Sequence, residues 1–338
     1  MVKLLKKNSL LILVLFLLIS CGVTSDEERE NAIVSANLSL STRDCNSAIK
    51  ILTDAPFSWK DATFLRTFSL AYACKGKFDV LSLFKDDLPL FGSVADSPLG
   101  GLSIFSTSVD MESPTDSDYK NIETALNYLL YAGEISEDEN PLPATRESII
   151  GEKENQEIEM LAFYEILVNL GRFLHYYGNG GEDGDKGGGA QANKCFMVYE
   201  DLDYDAGIPE LDSLRDFFAL GETGSCTAAR SADSGHEYLN NDDGSVNVEL
   251  LCEGVVLLNN FFTIFPRVLA SIAGDDFDDI ADIANLLGLQ LTAVDLLKSG
   301  TKAKVGDVLS YDLCVSNNSL DTSYIQFYYA FVFEVLFQ

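Results

Sequence analysis

Apolar residues recur at intervals of three and four over much of the chain, a period typical of amphipathic helices. Asp44 precedes the first such stretch as a cap and Gly76 closes the second, whereas Gly151 interrupts a longer one. The predicted helices are residues 45–52, 59–74, 78–84, 117–133, 145–177, 209–220, 248–273, 278–297 and 323–333. The pattern therefore predicts an all-α protein.

The helix predicted for residues 248–273 is apolar almost all round, a pattern found in buried core helices and in membrane spans. Glu253 and Arg267 place charges in it, which are costly in lipid, and Pro266 is expected to kink it. We therefore predict that this helix packs in the protein core, with membrane insertion as the alternative.

A second apolar run, residues 10–19, follows several lysines and ends at Leu18-Ile19-Ser20-Cys21. It is about half as long as the ~20 residues that a spanning helix needs, so an uncleaved membrane anchor is the weaker alternative. The tetrad resembles the lipobox of bacterial lipoproteins. The resemblance implies that residues 1–20 are a signal peptide and that Cys21 becomes an acylated N-terminus, carrying chains such as palmitate. Because Gly22 rather than Asp follows, it further implies the outer membrane, at the periplasmic face, with surface exposure left open.

A second resemblance concerns Leu70-Ala71-Tyr72 followed by Gly76-Lys77-Phe78. These residues resemble tetratricopeptide (TPR) helical hairpins, in which small and aromatic residues let paired helices pack closely before a glycine-containing turn. The Trp-x-x-Leu-Gly signature of that family is missing. The resemblance implies an irregular, TPR-like array of helical hairpins rather than a regular solenoid.

Composition divides the chain into regions. They are a signal peptide (1–20), a polar tether (21–35), a TPR-like helical region (36–177), a loop-rich acidic region (178–245), a hydrophobic C-terminal helical region (246–333) and a tail (334–338). The tail, Glu334-Val335-Leu336-Phe337-Gln338, resembles the remnant left when a picornaviral 3C-type protease removes a purification tag. We therefore expect it to lie outside the fold, with a native C-terminus as the alternative.

The chain is 47% hydrophobic and carries a formal net charge of −30, so it has enough apolar residues for a large core and a strongly acidic surface. Nucleic-acid binding is excluded, because phosphate backbones need clusters of Lys and Arg. Such acidity either serves solubility or points to a cation or a basic partner.

Seven cysteines occur, and six remain when Cys21 is set aside. In an oxidising compartment six cysteines indicate three disulfides, which allow 15 connectivities. We predict that Cys45 pairs with Cys74, because they lie in adjacent predicted helices with no other cysteine nearby. The remaining candidates, which can pair in three ways, are Cys195, Cys226, Cys252 and Cys314. The expected fold is thus a helical-hairpin array with long acidic and glycine-rich loops, stapled by disulfides.

The sharpest local signal for a ligand is a loop with alternate aspartates, whose oxygens can converge on a hard cation. The candidate calcium ligands are Asp201, Asp203, Asp205 and Asp212. The loop resembles that of EF-hand proteins, but it departs from the pattern at Ala206 and at Pro209, and at position twelve, where Glu is usual. A solvated acidic loop is the alternative, and no other cofactor is expected.

Catalytic candidates are scarce. The chain has two histidines, of which His175 reads as structural and His236 as a surface loop residue. No Gly-x-Ser-x-Gly elbow is present, and with 53 acidic residues any carboxylate pair could arise by chance. No catalytic residue is therefore predicted.

These features favour a lipid-anchored, non-catalytic module that binds an envelope protein and assists assembly of an envelope complex. A periplasmic binding protein for a small ligand, or one that depends on calcium, is the alternative, and a hydrolase is a third. Fold alone does not decide among them.

Overall fold

The structure is a computed structural model that describes residues 24–87, 98–105, 111–181, 195–199, 235–272, 292, 294–296 and 298–337. Helices dominate these residues, and the described part of the chain contains no strand, only an isolated antiparallel bridge between Asn240 and Val246. The prediction of an all-α fold is confirmed. The predicted helices at 209–220 and over most of 278–297 lie outside the described residues, as do the signal peptide and Cys21.

Helices are numbered here in chain order. They are α1 (Ser25–Ser41), α2 (Cys45–Asp54), α3 (Ala62–Lys75), α4 (Val80–Ser82), α5 (Pro98–Ser103), α6 (Ser117–Leu130), α7 (Pro143–Ile150), α8 (Glu152–Tyr177), α9 (Val248–Ile272), α10 (Tyr311–Asn318), α11 (Ser323–Tyr328) and α12 (Glu334–Leu336). Three π-helical turns join them, at Leu83–Asp87, Lys302–Gly306 and Tyr329–Phe333.

Helix α1 corrects the predicted tether, because residues 25–35 are helical. Thr24 and Glu27 form a capping box: the Thr24 hydroxyl accepts from the Glu27 N–H, and the Glu27 carboxylate accepts from the Thr24 N–H. Ile33 and Ala36 are then buried against α2 and α3. Local capping and tertiary burial outweigh the polar composition that had suggested a mobile segment.

Two disulfides connect helices within the described residues. Cys45 at the start of α2 is joined to Cys74 near the end of α3, which is the predicted pairing. Cys252 on α9 is joined to Cys314 on α10, one of the pairings that the sequence left open. Cys195 is also disulfide-bonded, to a partner outside the described residues, where Cys226 lies too.

The helices pack in a layered order: α1 and α2 on α3, α3 on α6, α6 on α8, α8 on α9, and α9 on α10. A large apolar core runs from α3 to the C-terminal helices, and a smaller one lies among α1, α2 and α3. The TPR-like and C-terminal regions that the sequence distinguished therefore share one core. TPR-like geometry stays a prediction.

Helix α9 is the apolar helix at the centre of this core. By length and composition Val248–Val268 could cross a membrane, but 61% of its apolar window is buried within the protein. Its polar side chains have protein partners: the Asn259 amide donates to the carbonyls of Val305 and Val308, and its oxygen accepts from the Tyr328 hydroxyl. Such pairing offsets the cost of burying an amide, and α9 packs as we predicted for a core helix.

The C-terminal tail does not lie outside the fold, contrary to expectation. Glu334 is 2% exposed, and its carboxylate accepts from the Phe196 N–H and from the Tyr199 hydroxyl, each at 2.7 Å. Leu336 and Phe337 are buried beside it. A buried carboxylate with two donors is an integrated part of the core, so these residues belong to the fold.

Candidate functional site

A cavity of about 350 Å³ lies where α6, α8, α9 and α10 meet. Its wall contains Tyr119, Lys120, Glu123, Leu126, Asn127, Leu130, Tyr131, Glu137, Asn169, Glu253, Val256, Leu257, Asn260, Tyr311 and Asp312. The volume falls within the range of small-molecule sites, roughly 300–1,000 Å³. The mixture of apolar and convergent polar groups is also typical of such sites.

Helical periodicity explains why these residues meet. On α6 the lining positions from Tyr119 to Leu130 recur at intervals of three and four, so they share one face. The lining positions of α9 from Glu253 to Asn260 follow the same rule. The two faces oppose each other across Asn169 of α8.

Asn169 is the most unusual residue of the cavity wall. It is 0% exposed, and neither its amide nitrogen nor its amide oxygen has a hydrogen-bond partner among the described residues. By contrast, Asn260 in the same wall donates to the Val256 and Leu309 carbonyls at 2.9 Å each. An unpaired buried amide costs about 1–3 kcal/mol, so the cavity holds an unsatisfied donor and acceptor.

Glu253 provides a carboxylate that is only 9% exposed. Its Oε1 forms an ion pair with the Lys120 ammonium at 3.6 Å but accepts no hydrogen bond. Burial raises the pKa of the Glu253 carboxyl, and the positive charge of Lys120 opposes that rise. The ammonium also lies 3.1 Å from the Glu123 carboxylate, so one lysine serves two acids.

Two tyrosines complete the polar part of the wall. The Tyr119 hydroxyl is buried next to the Glu253 carboxyl, without the alignment of a regular hydrogen bond. Burial raises the pKa of Tyr119 well above its ordinary value, and the Glu253 charge adds to the rise. Tyr311, 39% exposed, lies at the outer side, where burial raises its pKa to about 12. Both hydroxyls therefore remain protonated donors at neutral pH.

Covalent and hydrogen-bonded ties hold the outer side of the cavity. The Cys252–Cys314 disulfide joins the residue next to Glu253 to the helix that begins at Tyr311. The Asn140 amide donates to the Asp307 carbonyl at 3.0 Å and accepts from the Leu309 N–H at 2.8 Å. The segment before α10 is therefore fixed against the loop that follows α6.

The polar groups of the wall are carboxylates, amides, tyrosine hydroxyls and one ammonium, all of which can bind a polar ligand. Among the described residues that line the cavity, none is Ser, Cys or His, so the usual nucleophiles and the usual general base are missing from this wall. Lys120 neutralises the two nearest carboxylates rather than leaving an acid and a base free to act.

The residues predicted from sequence are not those of the cavity. The calcium loop with Asp201, Asp203, Asp205 and Asp212 lies outside the described residues, which themselves contain no group of three or more His, Cys, Asp or Glu placed to hold a metal. The nearest sequence signal for the cavity was Glu253, a charge that interrupts an apolar helix. Asn169 and Lys120 carried no such signal.

His236 is not the surface residue that we predicted. It is 2% exposed and its ring contacts those of Tyr176, Tyr177 and Tyr238 at centroid distances of 4.8–5.5 Å. Burial lowers its pKa to about 4. Its Nδ1 accepts from the Tyr238 N–H at 3.2 Å, so it acts as a neutral packing residue.

A more open surface groove of about 740 Å³ lies beside this ring cluster. Its amides are already paired: Asn240 both accepts from the Val198 N–H and donates to the Val198 carbonyl, and Asn247 accepts from the Leu250 N–H. The Asn247 contact caps the start of α9, and the Asn240 contacts tie this loop to Val198. The paired amides of the groove therefore serve to hold the loop in place.

No protein-family model, curated protein or solved structure matches this chain.

Proposed function

We propose that this is an exported, lipid-anchored protein that binds a small polar ligand in the cavity between α6, α8, α9 and α10. The observation that carries the proposal is Asn169, a fully buried residue of the cavity wall whose side-chain amide has no hydrogen-bond partner among the described residues. A ligand with a donor and an acceptor would satisfy that amide.

The proposed location is based on sequence. Leu18-Ile19-Ser20-Cys21 resembles a lipobox, and disulfides such as Cys45–Cys74 and Cys252–Cys314 fit an oxidising compartment. We propose attachment through Cys21 to the outer membrane, facing the periplasm. Because a protein held by several acyl chains is firmly anchored, no other membrane contact is required.

An assembly module with an envelope-protein partner is the second candidate. One observation favours it: Val34 and Leu38, one turn apart on α1, are each 70% exposed. Two adjacent apolar side chains form a small docking patch that a partner would cover. This patch lies on the first helix, whereas the cavity is built from α6 onward.

The two candidates can be separated by one pair of matched variants. Val256→Trp fills the cavity, and Val34→Trp makes the same change on the exposed face of α1. Native mass spectrometry of protein purified from its host should find a bound small molecule in the wild type and in Val34→Trp, but not in Val256→Trp.

The opposite result would support the assembly role. If a stoichiometric envelope protein co-purifies, is lost in Val34→Trp, and no small molecule is found in the wild type, the cavity does not define the function. A melting scan checks folding of both variants. A ligand at 100 times its Kd should stabilise the wild type by about 2.7 kcal/mol.

A further inference from the structure

We infer that the ligand carries a primary ammonium group, which takes the place now held by the Lys120 ammonium between Glu123 and Glu253. This inference rests on the proposed function and names the ligand class. The Lys120 Nζ lies 3.1 Å from the Glu123 carboxylate, 3.6 Å from the Glu253 carboxylate and 5.3 Å from the centroid of the Tyr119 ring. Two carboxylates and an aromatic face are the groups that bind an ammonium.

The exposure of the Lys120 side chain allows a ligand ammonium to replace its own ammonium group. Its side chain is 47% exposed, whereas the Glu253 side chain that it meets is only 10% exposed. A flexible lysine at the edge can swing into solvent at little cost, but the buried carboxylate cannot follow it. An entering cation could therefore take over from Lys120 as the counter-charge of the buried Glu253 carboxylate.

The charges of the wall favour a cation over an anion. Four acidic side chains line the cavity against the single ammonium of Lys120: Glu123, Glu137, Glu253 and Asp312. An anionic ligand would meet repulsion from these groups. A cationic ligand would complete the charge balance that Lys120 provides only in part.

Asn169 adds a second requirement. Its unpaired nitrogen and oxygen need a ligand group that can both accept and donate, such as a hydroxyl or an amide. The ligand class is therefore a small amine that also carries hydroxyl or amide groups, such as an amino alcohol or an amino sugar. The volume of about 350 Å³ accepts a molecule of that size.

Isothermal titration calorimetry on the full mature protein tests this with matched probes. Glucosamine and glucose differ at one carbon, as an ammonium and a hydroxyl, and ethanolamine and ethylene glycol repeat the comparison with smaller molecules. We expect an amine to bind at least about tenfold more tightly than its neutral match, as one charge-assisted contact gives.

Variants test whether Glu253 and Lys120 strengthen or weaken binding of the amine. Glu253→Gln should weaken binding of the amine about tenfold or more, whereas Glu28→Gln, which makes the same charge change on exposed α1, should leave it unchanged. Lys120→Met should tighten binding several-fold, because the internal competitor is gone. If Lys120 instead held an anionic group of the ligand, Lys120→Met would weaken binding.

Results that contradict the ammonium inference can be told apart from results that contradict the proposed ligand-binding function. Equal binding of glucosamine and glucose, weaker binding by Lys120→Met, or no amine binding at millimolar concentration to wild type or Lys120→Met would overturn the ammonium inference. A neutral or anionic molecule found by native mass spectrometry and lost in Val256→Trp would overturn it too, yet leave the ligand-binding function standing. Because Lys120 is half exposed, its variant should fold even where Glu253→Gln does not.

Discussion

Two buried asparagines on α8 provide a direct test of the cavity wall. Asn155 is fully paired: it accepts from Arg146 at 3.1 Å and donates to Glu159 at 2.7 Å. Asn169 is just as buried but has no partner among the described residues. The same substitution should therefore have opposite effects at the two positions.

We predict that Asn169→Leu raises the free energy of unfolding by about 1 kcal/mol without ligand, because an unpaired amide is replaced by an apolar group. Asn155→Leu should lower it by about 3 kcal/mol, since it removes hydrogen bonds from two buried charged groups, Arg146 and Glu159. Urea denaturation followed by circular dichroism measures both. A loss of stability in Asn169→Leu as large as that in Asn155→Leu would mean that the amide is already satisfied, for example by a bound water.

Glu165 on α8 is a second residue whose environment has a measurable consequence. It is 0% exposed, and burial raises its pKa to about 8, although a hydrogen bond from the Ser69 hydroxyl at 2.7 Å opposes the rise. In the unfolded chain the same carboxyl titrates near 4.5. Between these values the folded state binds the extra proton.

The contribution of the Glu165 carboxyl to the free energy of unfolding should therefore be fully present below about pH 4.5 and be lost as pH rises towards 8. Glu165→Gln cannot ionise, and it keeps an oxygen for Ser69. We predict that its stability exceeds that of the wild type by about 1.4 kcal/mol more for each pH unit in this window. Thermal unfolding from pH 5 to 8 checks this, and parallel curves for the two proteins would contradict it. His236 contributes in the opposite direction, since its lowered pKa favours folding as pH rises from about 4.

At the scale of the elements, one buried ionic network ties α7, α8 and α9 together. Arg146 is 0% exposed and lies 3.6 Å from Glu159, which also accepts from Arg267 at 2.9 Å, and Arg267 reaches Glu147 at 2.6 Å. Burial lowers the pKa of Arg146 to about 10, and the Glu159 charge opposes the shift. Glu159 thus keeps a buried arginine charged.

We predict that Glu159→Gln destabilises the protein by about 3–5 kcal/mol, because Arg146 is left buried without a counter-charge. Glu157→Gln is the matched control on the same helix: its partner Arg66 is partly exposed, and the variant should cost under about 1 kcal/mol. The free energy of unfolding in urea measures both. Similar losses in the two variants would show that burial of the network adds little.

The elements differ in how well the sequence predicted them. Periodicity was sufficient for α6, α8 and α9, whose apolar faces are regular. Periodicity was insufficient for α1. The polar composition of this segment favoured a tether, although Thr24 and Glu27 have the spacing of a capping box. The tail at Glu334 was missed because its partners, Phe196 and Tyr199, are distant in the sequence and no local pattern reports them.

The cavity could not be predicted for the same physical reason. Its lining comes from four helices and the loop after α6, and every contributing position except Glu253 looks ordinary in its local sequence. Whether Asn169 is paired depends on packing between helices, which no local pattern reports. The sequence predicts features that depend on neighbouring residues, but not which residues of different helices meet in the cavity.

At the scale of the whole molecule, the proposed lipid on Cys21 decides whether the protein is bound to the membrane or released from it. We predict that cells expressing the full chain incorporate labelled palmitate into it and that Cys21→Ser abolishes the label. The wild type should sediment with outer membranes, and the variant should not. Cys195→Ser is the control, because it removes a disulfide-bonded cysteine without touching the lipobox. Label retained in Cys21→Ser would contradict the lipobox interpretation.

The Cys252–Cys314 disulfide has a consequence for where the ligand is met. It ties α10 covalently to the residue next to Glu253 and so fixes one side of the cavity wall. Cytoplasmic thiols stay reduced, so under the proposed export this bond would form in the periplasm. The ligand proposed for this cavity would then be bound in the periplasm rather than in the cytoplasm.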